Sequence, residues 1–243
     1  MATHLTIDEG NSSTKTALWR DGVMQTEHTC RPGELDDIAR LVGVSTPVDA
    51  AIFCSVCGRD RDAVARVLAP LARKVIVLDA SVPLPVKLAY STPATLGADR
   101  IAAAAGAAAL APGCDCLIVD MGTAITYDYL RADGTFIGGN IAPGVFVRLE
   151  ALQHFTKALP LVETDGDVPR WGYSTETALR AGAIRGVVGE LQYYRHALPR
   201  DARVFLTGGS AHLIIPYVTS PIIVEPNLVL TGLDNILQYN ENQ

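Results

Sequence analysis

An internal repeat constrains the fold of this chain more than any other feature. Residues 5–22 align without a gap with residues 117–134, and seven of the eighteen positions are identical. Two copies at this spacing indicate a duplicated domain rather than a solenoid, and we expect the copies to face each other across a cleft that holds one ligand. The identical pairs are Leu5 and Leu117, Asp8 and Asp120, Gly10 and Gly122, Thr14 and Thr126, Leu18 and Leu130, Asp21 and Asp133, and Gly22 and Gly134.

The first copy has the composition of a tight turn between two strands. A strand ends in Asp8, Gly10 lets the backbone turn sharply, and small hydroxyl residues lead to Lys15 and a second strand. Exposed N–H groups, hydroxyls and a lysine suit phosphate oxygens. An ordinary polar hairpin with a solvated lysine has the same composition.

Length and charge limit the classes of protein. The chain has 243 residues, of which 49% are hydrophobic, so two domains of ordinary size or one large domain are expected. The net charge of −6 argues against nucleic acid or an anionic membrane as the main partner, although a local nucleotide site remains compatible. Residues 1–4 lack a secretory signal and the longest apolar run, 101–112, is too short to span a bilayer, so a soluble cytoplasmic protein is expected.

Cysteines and histidines give no sign of a metal site or of a disulfide framework. The five histidines are scattered and form no HExxH pair, which makes a histidine-based metal site improbable. Cys54 and Cys57 form an isolated CxxC after an apolar run, and we expect both to be buried structural thiols, as we do Cys114 and Cys116.

Strand-like and helix-like segments alternate along the chain, which predicts an α/β fold with parallel strands. A boundary at Pro112-Gly113 divides it into an N-terminal domain, 1–112, and a C-terminal domain, 113–243. The predicted helices are 35–42, 60–71, 101–110, 145–155, 174–194 and 229–238, and the principal predicted strands are 49–56, 74–78, 117–120, 126–130, 203–206 and 221–224.

Four turns rich in glycine or hydroxyl groups follow predicted strands, at 8–15, 120–126, 138–144 and 207–210. None matches the dinucleotide-binding GxGxxG pattern or the Walker P-loop. With the repeat, they suggest a nucleotide held between two halves, with phosphates on the equivalent turns and the adenosine near Gly208-Gly209.

Asp99 and Arg100 open the alanine-rich helix after Gly97. Asp99 could simply complement the helix dipole, which is worth about 0.3–1 kcal/mol. It could also take a proton from a substrate hydroxyl, with the helix N-terminus keeping the carboxylate ionised at neutral pH.

Taken together, these motifs resemble type III pantothenate kinase, a family of the actin-like superfamily that includes acetate and sugar kinases, heat-shock proteins and actin. The resemblance covers nearly the whole chain, and Gly97-Ala98-Asp99-Arg100 is its most specific motif. The other matching motifs are Asp8-x-Gly10-Asn11-Ser12-x-x-Lys15, Asp120-x-Gly122-Thr123-Ala124-x-Thr126 and Gly138-Gly139-x-Ile141-x-Pro143-Gly144.

The resemblance implies a duplicated ribonuclease H-like or actin-like fold and a role for each matching residue. Asp99 would be the catalytic proton acceptor acting on the primary hydroxyl of pantothenate, and Asp120 would bind a monovalent cation, potassium or ammonium. ATP, with magnesium, would contact Asp8, Glu9, Gly10, Asn11, Ser12, Ser13, Thr14, Lys15 and Thr123. Pantothenate would contact Tyr90, Gly97, Ala98, Asp99 and Arg100, and Thr175 would complete its site across a homodimer interface.

Departures from the family pattern are few. Ser12 keeps the hydroxyl of the commoner threonine, and Ser174 stands where asparagine is frequent. Glu9 places an acid where the family often has an apolar residue, and strand alternation predicts that its side chain points away from that of Asp8.

The implied function is ATP-dependent phosphorylation of pantothenate to 4'-phosphopantothenate, the first step of coenzyme A biosynthesis. One alternative is a regulatory protein on the same fold, similar to the Bvg accessory factor. It predicts damaged catalytic positions or a basic surface, whereas Asp8, Lys15, Asp99 and Asp120 are all present and the net charge is negative. Another is an actin-like phosphotransferase or phosphohydrolase for a different small substrate.

Overall fold

A computed structural model describes residues 2–31 and 46–242. The strands are β1 (Thr3–Glu9), β2 (Thr14–Arg20), β3 (Val23–Cys30), β4 (Val48–Ser55), β5 (Ala72–Val77), β6 (Lys87–Leu88), β7 (Cys116–Met121), β8 (Ala124–Leu130), β9 (Thr135–Pro143), β10 (Arg203–Thr207) and β11 (Ile223–Val224). The α-helices are α1 (Arg61–Leu68), α2 (Ala98–Leu110), α3 (Val145–Phe155), α4 (Thr175–His196) and α5 (Leu228–Glu241). Within this part of the chain, no helix is both long enough and apolar enough to cross a membrane.

The chain divides into two compact units. Unit 1 contains Met1–Gly113, Leu130–Gly138 and Asn227–Gln243, and unit 2 contains Cys114–Tyr129 and Gly139–Pro226. These units do not follow the contiguous division at residues 112 and 113, because α5 and the start of β9 group with the N-terminal residues. The division into two duplicated domains stays a prediction.

Unit 1 is built on a five-stranded sheet in the order β3-β2-β1-β4-β5. Strand β1 runs antiparallel to β2 and parallel to β4. Alternate residues of β1 face opposite sides of the sheet. Leu5 and Ile7 pack with Val64 and Leu68 of α1, whereas His4 on the other face contacts Asp234 of α5.

Helices α2 and α5 pack closely against each other because glycines occupy their crossing point. A Cβ atom on Gly232 would collide with the carbonyl oxygen of Ala102, and one on Gly106 would collide with that of Leu228. The alanine-rich sequence of α2 therefore provides a smooth surface for α5, and its residues from Ile101 to Ala105 are almost fully buried.

Unit 2 contains strands in the order β11-β10-β7-β8-β9, where β9 contributes its later residues. Strands β7, β10 and β11 run parallel to one another. Val119 and Leu206 of the sheet share a core with Ile184 and Val187 of α4, and each of these four residues is nearly or fully buried.

The sequence predictions hold for most elements. The α/β fold is confirmed, and both copies of the repeat form a strand, a turn and a second strand. The predicted helix at 35–42 lies outside the described residues. Cys54 and Cys116 are buried as expected, but the prediction for Cys57 is wrong, because its side chain is exposed in the loop after β4. Cys114 is only partly buried.

Candidate active site

The turn after β1 places Asp8 and Lys15 side by side. Asp8 pairs with Lys15 on β2 and with Cys54 on β4. Residues that pair across neighbouring strands share a face of the sheet, so these three side chains form a row on the face covered by α2 and α5. The N–H of Gly10 donates to the carbonyl oxygen of Ser13 over 2.9 Å and closes the turn, leaving Asn11 and Ser12 exposed.

Glu9 lies on the opposite face, as strand alternation predicts. Its side chain is fully buried and accepts hydrogen bonds from Arg59 and from Ser55 Oγ. Thr14 pairs with Glu9 and is also buried. The contacts to ATP predicted for Glu9 and Thr14 stay predictions, with the Glu9 carboxylate already occupied by protein partners.

Asp99 lies in the first turn of α2, where its carboxylate accepts a hydrogen bond of 2.8 Å from the N–H of Arg100. The helix has no side-chain cap, because its N-cap is Gly97. A Cβ atom on Gly97 would collide with Oδ1 of Asp99. The glycine of the Gly-Ala-Asp-Arg motif is therefore needed to make room for the carboxylate that follows it.

Cys54 links the two ends of this candidate site within unit 1. Its thiol is fully buried, and burial raises its pKa well above the ordinary value. The negative charges of Asp8 and Asp99 raise that pKa further, and Asp8 also hydrogen-bonds the thiol. Asp8 is thus the strand neighbour of Cys54, and Asp99 acts on the thiol through its charge from the start of α2.

The protonation of Asp99 reflects competing influences. Burial raises the pKa of its carboxyl above the ordinary value, while the N–H and the guanidinium of Arg100 act in the opposite direction. Desolvation is the largest of these influences, so the pKa lies above the ordinary aspartate value. That the carboxylate is ionised at neutral pH stays a prediction. A carboxylate with a raised pKa is a stronger base than an exposed one.

Arg100, the next residue of the motif, is buried against aromatic rings. Its guanidinium carbon lies 5.6 Å from the ring centroid of Tyr90 and 5.8 Å from that of Phe136. Gly138 leaves the space that the Tyr90 ring occupies, since a Cβ there would lie 3.2 Å from the ring. Tyr90 and the start of α2, which the resemblance assigns to pantothenate, are thus neighbours in unit 1.

The second copy of the turn lies in unit 2. Asp120 pairs with Thr207 of β10, and Gly208 follows with a φ of +89°. A Cβ atom on Gly208 would lie 2.5 Å from Oδ1 of Asp120, so the space beside this carboxylate depends on the glycine. The predicted adenosine contact at Gly208-Gly209 stays a prediction.

Thr123, also in the second turn, is held by the glycine-rich segment that ends β9. The N–H of Gly144 donates to the carbonyl oxygen of Thr123 over 2.9 Å. Arg148 Nε donates to the carbonyl oxygen of Pro143 over 2.8 Å and forms a bidentate ion pair with Glu190, which also accepts from Tyr127. Burial opposes the charge on Glu190, but these hydrogen bonds lower its pKa overall.

Thr175 begins α4 and is exposed. Ser174 before it is the N-cap, and its side chain and that of Thr177 form a reciprocal capping box. Ser174 therefore caps the helix and orients the first turn, which carries Thr175.

Sequence reasoning missed several residues that support the candidate site, namely Cys54 beside Asp8, Arg59 beside Glu9, and the Arg148–Glu190 pair. Only the acid at position 9 carried a signal, since a buried carboxylate next to a phosphate turn needs a cation. Among residues 2–31 and 46–242, no three histidine, cysteine, aspartate or glutamate side chains converge as a metal cluster.

The fold and the repeated acid-bearing turns define an actin-like α/β protein. A Campylobacter jejuni protein assigned to the Baf family of transcriptional activators superposes with a TM-score of 0.68 at 21% identity, covering 98% of this chain and 100% of that one. A Sinorhizobium meliloti protein assigned as a 2-dehydro-3-deoxygalactonokinase gives a TM-score of 0.62 at 14% identity, covering 98% and 99%. At these identities the likeness concerns the fold alone.

Sequence comparison identifies the family within that class. The profile of type III pantothenate kinase matches residues 4–197. The type III pantothenate kinase of Porphyromonas gingivalis strain W83 is 38% identical over 246 aligned residues, covering 99% of this chain and 100% of that one. The chain belongs to the type III pantothenate kinase family.

Proposed function

We propose that this chain transfers the γ-phosphoryl group of ATP to the primary hydroxyl of pantothenate, the first step of coenzyme A biosynthesis. Membership of the family supports this reaction. The observation that carries it is the pairing of Asp8 with Lys15 at the phosphate turn, in the same unit as Asp99 at the start of α2.

Asp99 is the proton acceptor in this proposal. Phosphoryl transfer passes through a loose transition state, so the base orients the hydroxyl and receives its proton late. Partial desolvation raises the basicity of Asp99 while leaving it beside the N–H of Arg100. Arg100 in turn positions Tyr90, which would fix the acceptor substrate.

The turn from Asp8 to Lys15 is proposed to bind the phosphates. Gly10 allows the backbone to fold back, and Lys15 lies on the same face as Asp8. Its ammonium group would offset charge that develops on the phosphoryl oxygens. Magnesium would reach such a site bound to the nucleotide, where it would neutralise phosphate charge.

Asp120 is proposed to hold the monovalent cation, and Thr123 to contact ATP. The bare backbone of Gly208 next to the Asp120 carboxylate provides a cradle that any side chain would fill. An oxygen donor in such a cradle suits a hard cation. Omission of potassium and ammonium from the assay tests this role directly.

We propose a homodimer in which Thr175 completes the pantothenate site of the partner subunit. The surface of unit 2 supports this proposal. Trp171 and Tyr173, just before α4, are 84% and 72% accessible, and Phe155 at the end of α3 is 83% accessible. Exposed large aromatic side chains mark protein interfaces. The exposed Thr175 lies on the same part of the chain.

A kinase assay of the pure protein with ATP, magnesium, potassium and pantothenate tests the function. We expect phosphopantothenate from the wild type and a kcat about 10²–10⁴-fold lower for Asp99→Asn, because the amide cannot accept the proton. The raised pKa of Asp99 predicts that wild-type activity falls on the acid side, as the carboxylate becomes protonated, at a pH above the ordinary aspartate range. The residual activity of Asp99→Asn should not show this fall at acidic pH.

Asp62→Asn is the matched control, because Asp62 is an exposed acid in the first turn of α1. It should keep the wild-type rate. Equal turnover by Asp99→Asn would refute the assignment of the base, and absence of phosphopantothenate with every cation would refute the proposed function.

A further inference from the structure

An ion pair lies directly behind the phosphate turn, on the face of the sheet opposite Asp8. The Glu9 side chain is fully buried, and Arg59 Nε lies 3.0 Å and 2.9 Å from its two carboxylate oxygens. A second nitrogen of the same guanidinium, Nη2, lies 2.5 Å from Oε1. The Arg59 side chain is about one-third exposed, so the pair is screened only in part.

Arg59 belongs to the loop between β4 and α1, and this loop, together with Ser55 at the end of β4, contacts the turn at further points. The N–H of Val56 donates to the carbonyl oxygen of Glu9 over 3.2 Å, and Ser55 Oγ donates to the Glu9 carboxylate over 2.8 Å. The thiol of Cys57 lies 3.5 Å from the carbonyl oxygen of Gly10. Through these contacts the loop sets the position of the backbone that would receive phosphate.

We propose that Arg59 is a positioning residue for ATP, which neutralises the carboxylate of Glu9 and ties the β4–α1 loop to the phosphate turn. This inference rests on the proposed function, since it assigns the turn to the nucleotide. Arg59 acts through Glu9 and Gly10 and is not placed in contact with substrate.

The charge on Glu9 explains why such a cation is needed. The carboxylate is attached to the residue immediately before Gly10, and a buried anion there would repel the triphosphate. Breaking a buried pair by removing one partner leaves an uncompensated charge, which is far more costly than replacing both partners. Arg59 and Glu9 should therefore be coupled, so that the harm from losing one is relieved when the other becomes neutral.

The test is a double-mutant cycle of Arg59→Met, Glu9→Gln and the combined variant. We expect Arg59→Met to raise the KM for ATP about tenfold, with the KM for pantothenate changed by less than about twofold, because the added repulsion acts on the phosphates. Glu9→Gln supplies the neutral partner of the cycle, and the combined variant should recover most of the ATP affinity that Arg59→Met loses.

Arg61→Met is the control, because Arg61 opens the following helix and pairs with Asp79 and the carbonyl oxygen of Val77, away from the turn. It should keep the wild-type KM for ATP. A wild-type KM for ATP in Arg59→Met, or a combined variant no better than Arg59→Met, would overturn the proposal. If Arg59→Met does not fold, the KM for ATP of the combined variant is compared with that of the wild type. The combined variant lacks the buried charge, so the two values should be nearly equal.

Binding of a non-hydrolysable ATP analogue, measured by calorimetry on the same four proteins, separates this inference from the proposed function. A wild type that binds the analogue but does not phosphorylate pantothenate refutes the function while leaving the cycle interpretable. Analogue affinities that are equal in all four proteins refute the role of Arg59 even if the enzyme is active.

Discussion

Asp99 illustrates how a single residue acquires its chemistry from its surroundings. The start of a helix favours the charged carboxylate, but burial of the side chain favours the neutral form. The second effect is the larger one. Burial therefore leaves Asp99 with a raised pKa. The position of its Oδ1 depends on the hydrogen bond from the N–H of Arg100 and on the absence of a side chain at Gly97.

Gly97→Ala should damage catalysis without damaging the fold. The backbone at Gly97 has φ −55° and ψ 132°, which alanine adopts readily, so the only cost is the collision with Oδ1 of Asp99. We expect kcat to fall about 10²-fold, because a carboxylate displaced by about 1 Å no longer meets the hydroxyl. Steady-state kinetics and a thermal melt measure the two effects separately.

Gly182→Ala provides the comparison for that substitution. Gly182 lies within α4, and a Cβ atom there would meet no other atom within 4 Å. This change should leave kcat unaltered and stabilise the helix by about 0.5–1 kcal/mol. A kcat for Gly97→Ala equal to that of the wild type would show that Asp99 is not confined by the glycine.

At the scale of elements, α5 connects β1 to α2. His4 Nδ1 lies 2.6 Å from Oδ1 of Asp234, and Nε2 lies 3.1 Å from Oε1 of Glu241, a contact that is an ion pair rather than a well-aligned hydrogen bond. Both His4 and Asp234 are almost fully buried. Since α5 also packs on α2 through Gly106 and Gly232, this cluster helps to hold the helix that carries Asp99.

The same cluster predicts a pH dependence of stability. Burial alone would lower the pKa of His4, but Asp234 and Glu241 raise it above the ordinary value of 6.5. Protonated His4 therefore stabilises the folded state fully below pH 6.5, and this contribution is lost as the pH rises through the folded-state pKa. Asp234→Asn should lower the free energy of unfolding by about 3 kcal/mol at pH 6, with a smaller deficit in alkaline solution.

Denaturant unfolding from pH 6 to pH 9 measures this difference. Asp201→Asn, a change at an exposed acid of unit 2, should follow the wild-type curve at every pH. A deficit for Asp234→Asn that does not change with pH would mean that His4 does not change its charge over this range, and the predicted pH dependence would be wrong.

At the scale of the whole molecule, the exposed aromatic residues of unit 2 predict assembly. Trp171→Asp should weaken the proposed dimer by at least about 2 kcal/mol, because buried tryptophans dominate interface energies. Light scattering coupled to size exclusion would then show a dimer for the wild type and dissociation of the variant at micromolar concentration. The KM for pantothenate should rise in parallel, since Thr175 of the second subunit would be lost.

Val23→Lys tests whether any exposed apolar residue has this effect. Val23 is 61% exposed but lies on β3 of unit 1. Its replacement should leave the mass of the assembled protein in solution and the KM for pantothenate unchanged. A wild type that is monomeric at all concentrations with full activity would contradict the proposed dimer.

Local patterns made much of the fold predictable. The repeat predicted that Asp8 and Asp120 each end a strand before a turn, because a strand, a glycine and a following strand are specified by neighbouring residues. Alternation along β1 predicted the opposite directions of Asp8 and Glu9 for the same reason. The Gly-Ala-Asp-Arg motif predicted the helix start, although not the raised pKa of its aspartate.

The sequence by itself determined the duplicated turns, the α/β class, the family and the identity of the candidate base. Only the tertiary structure decided what surrounds them: that Cys54 lies next to Asp8, that Arg59 neutralises Glu9, and that α5 joins unit 1. Turns and helix starts depend on residues a few positions apart, whereas these contacts join residues 40 to 230 positions apart and follow from strand order and helix packing. Burial, and with it the pKa of Asp99, arises from that packing and from no local pattern.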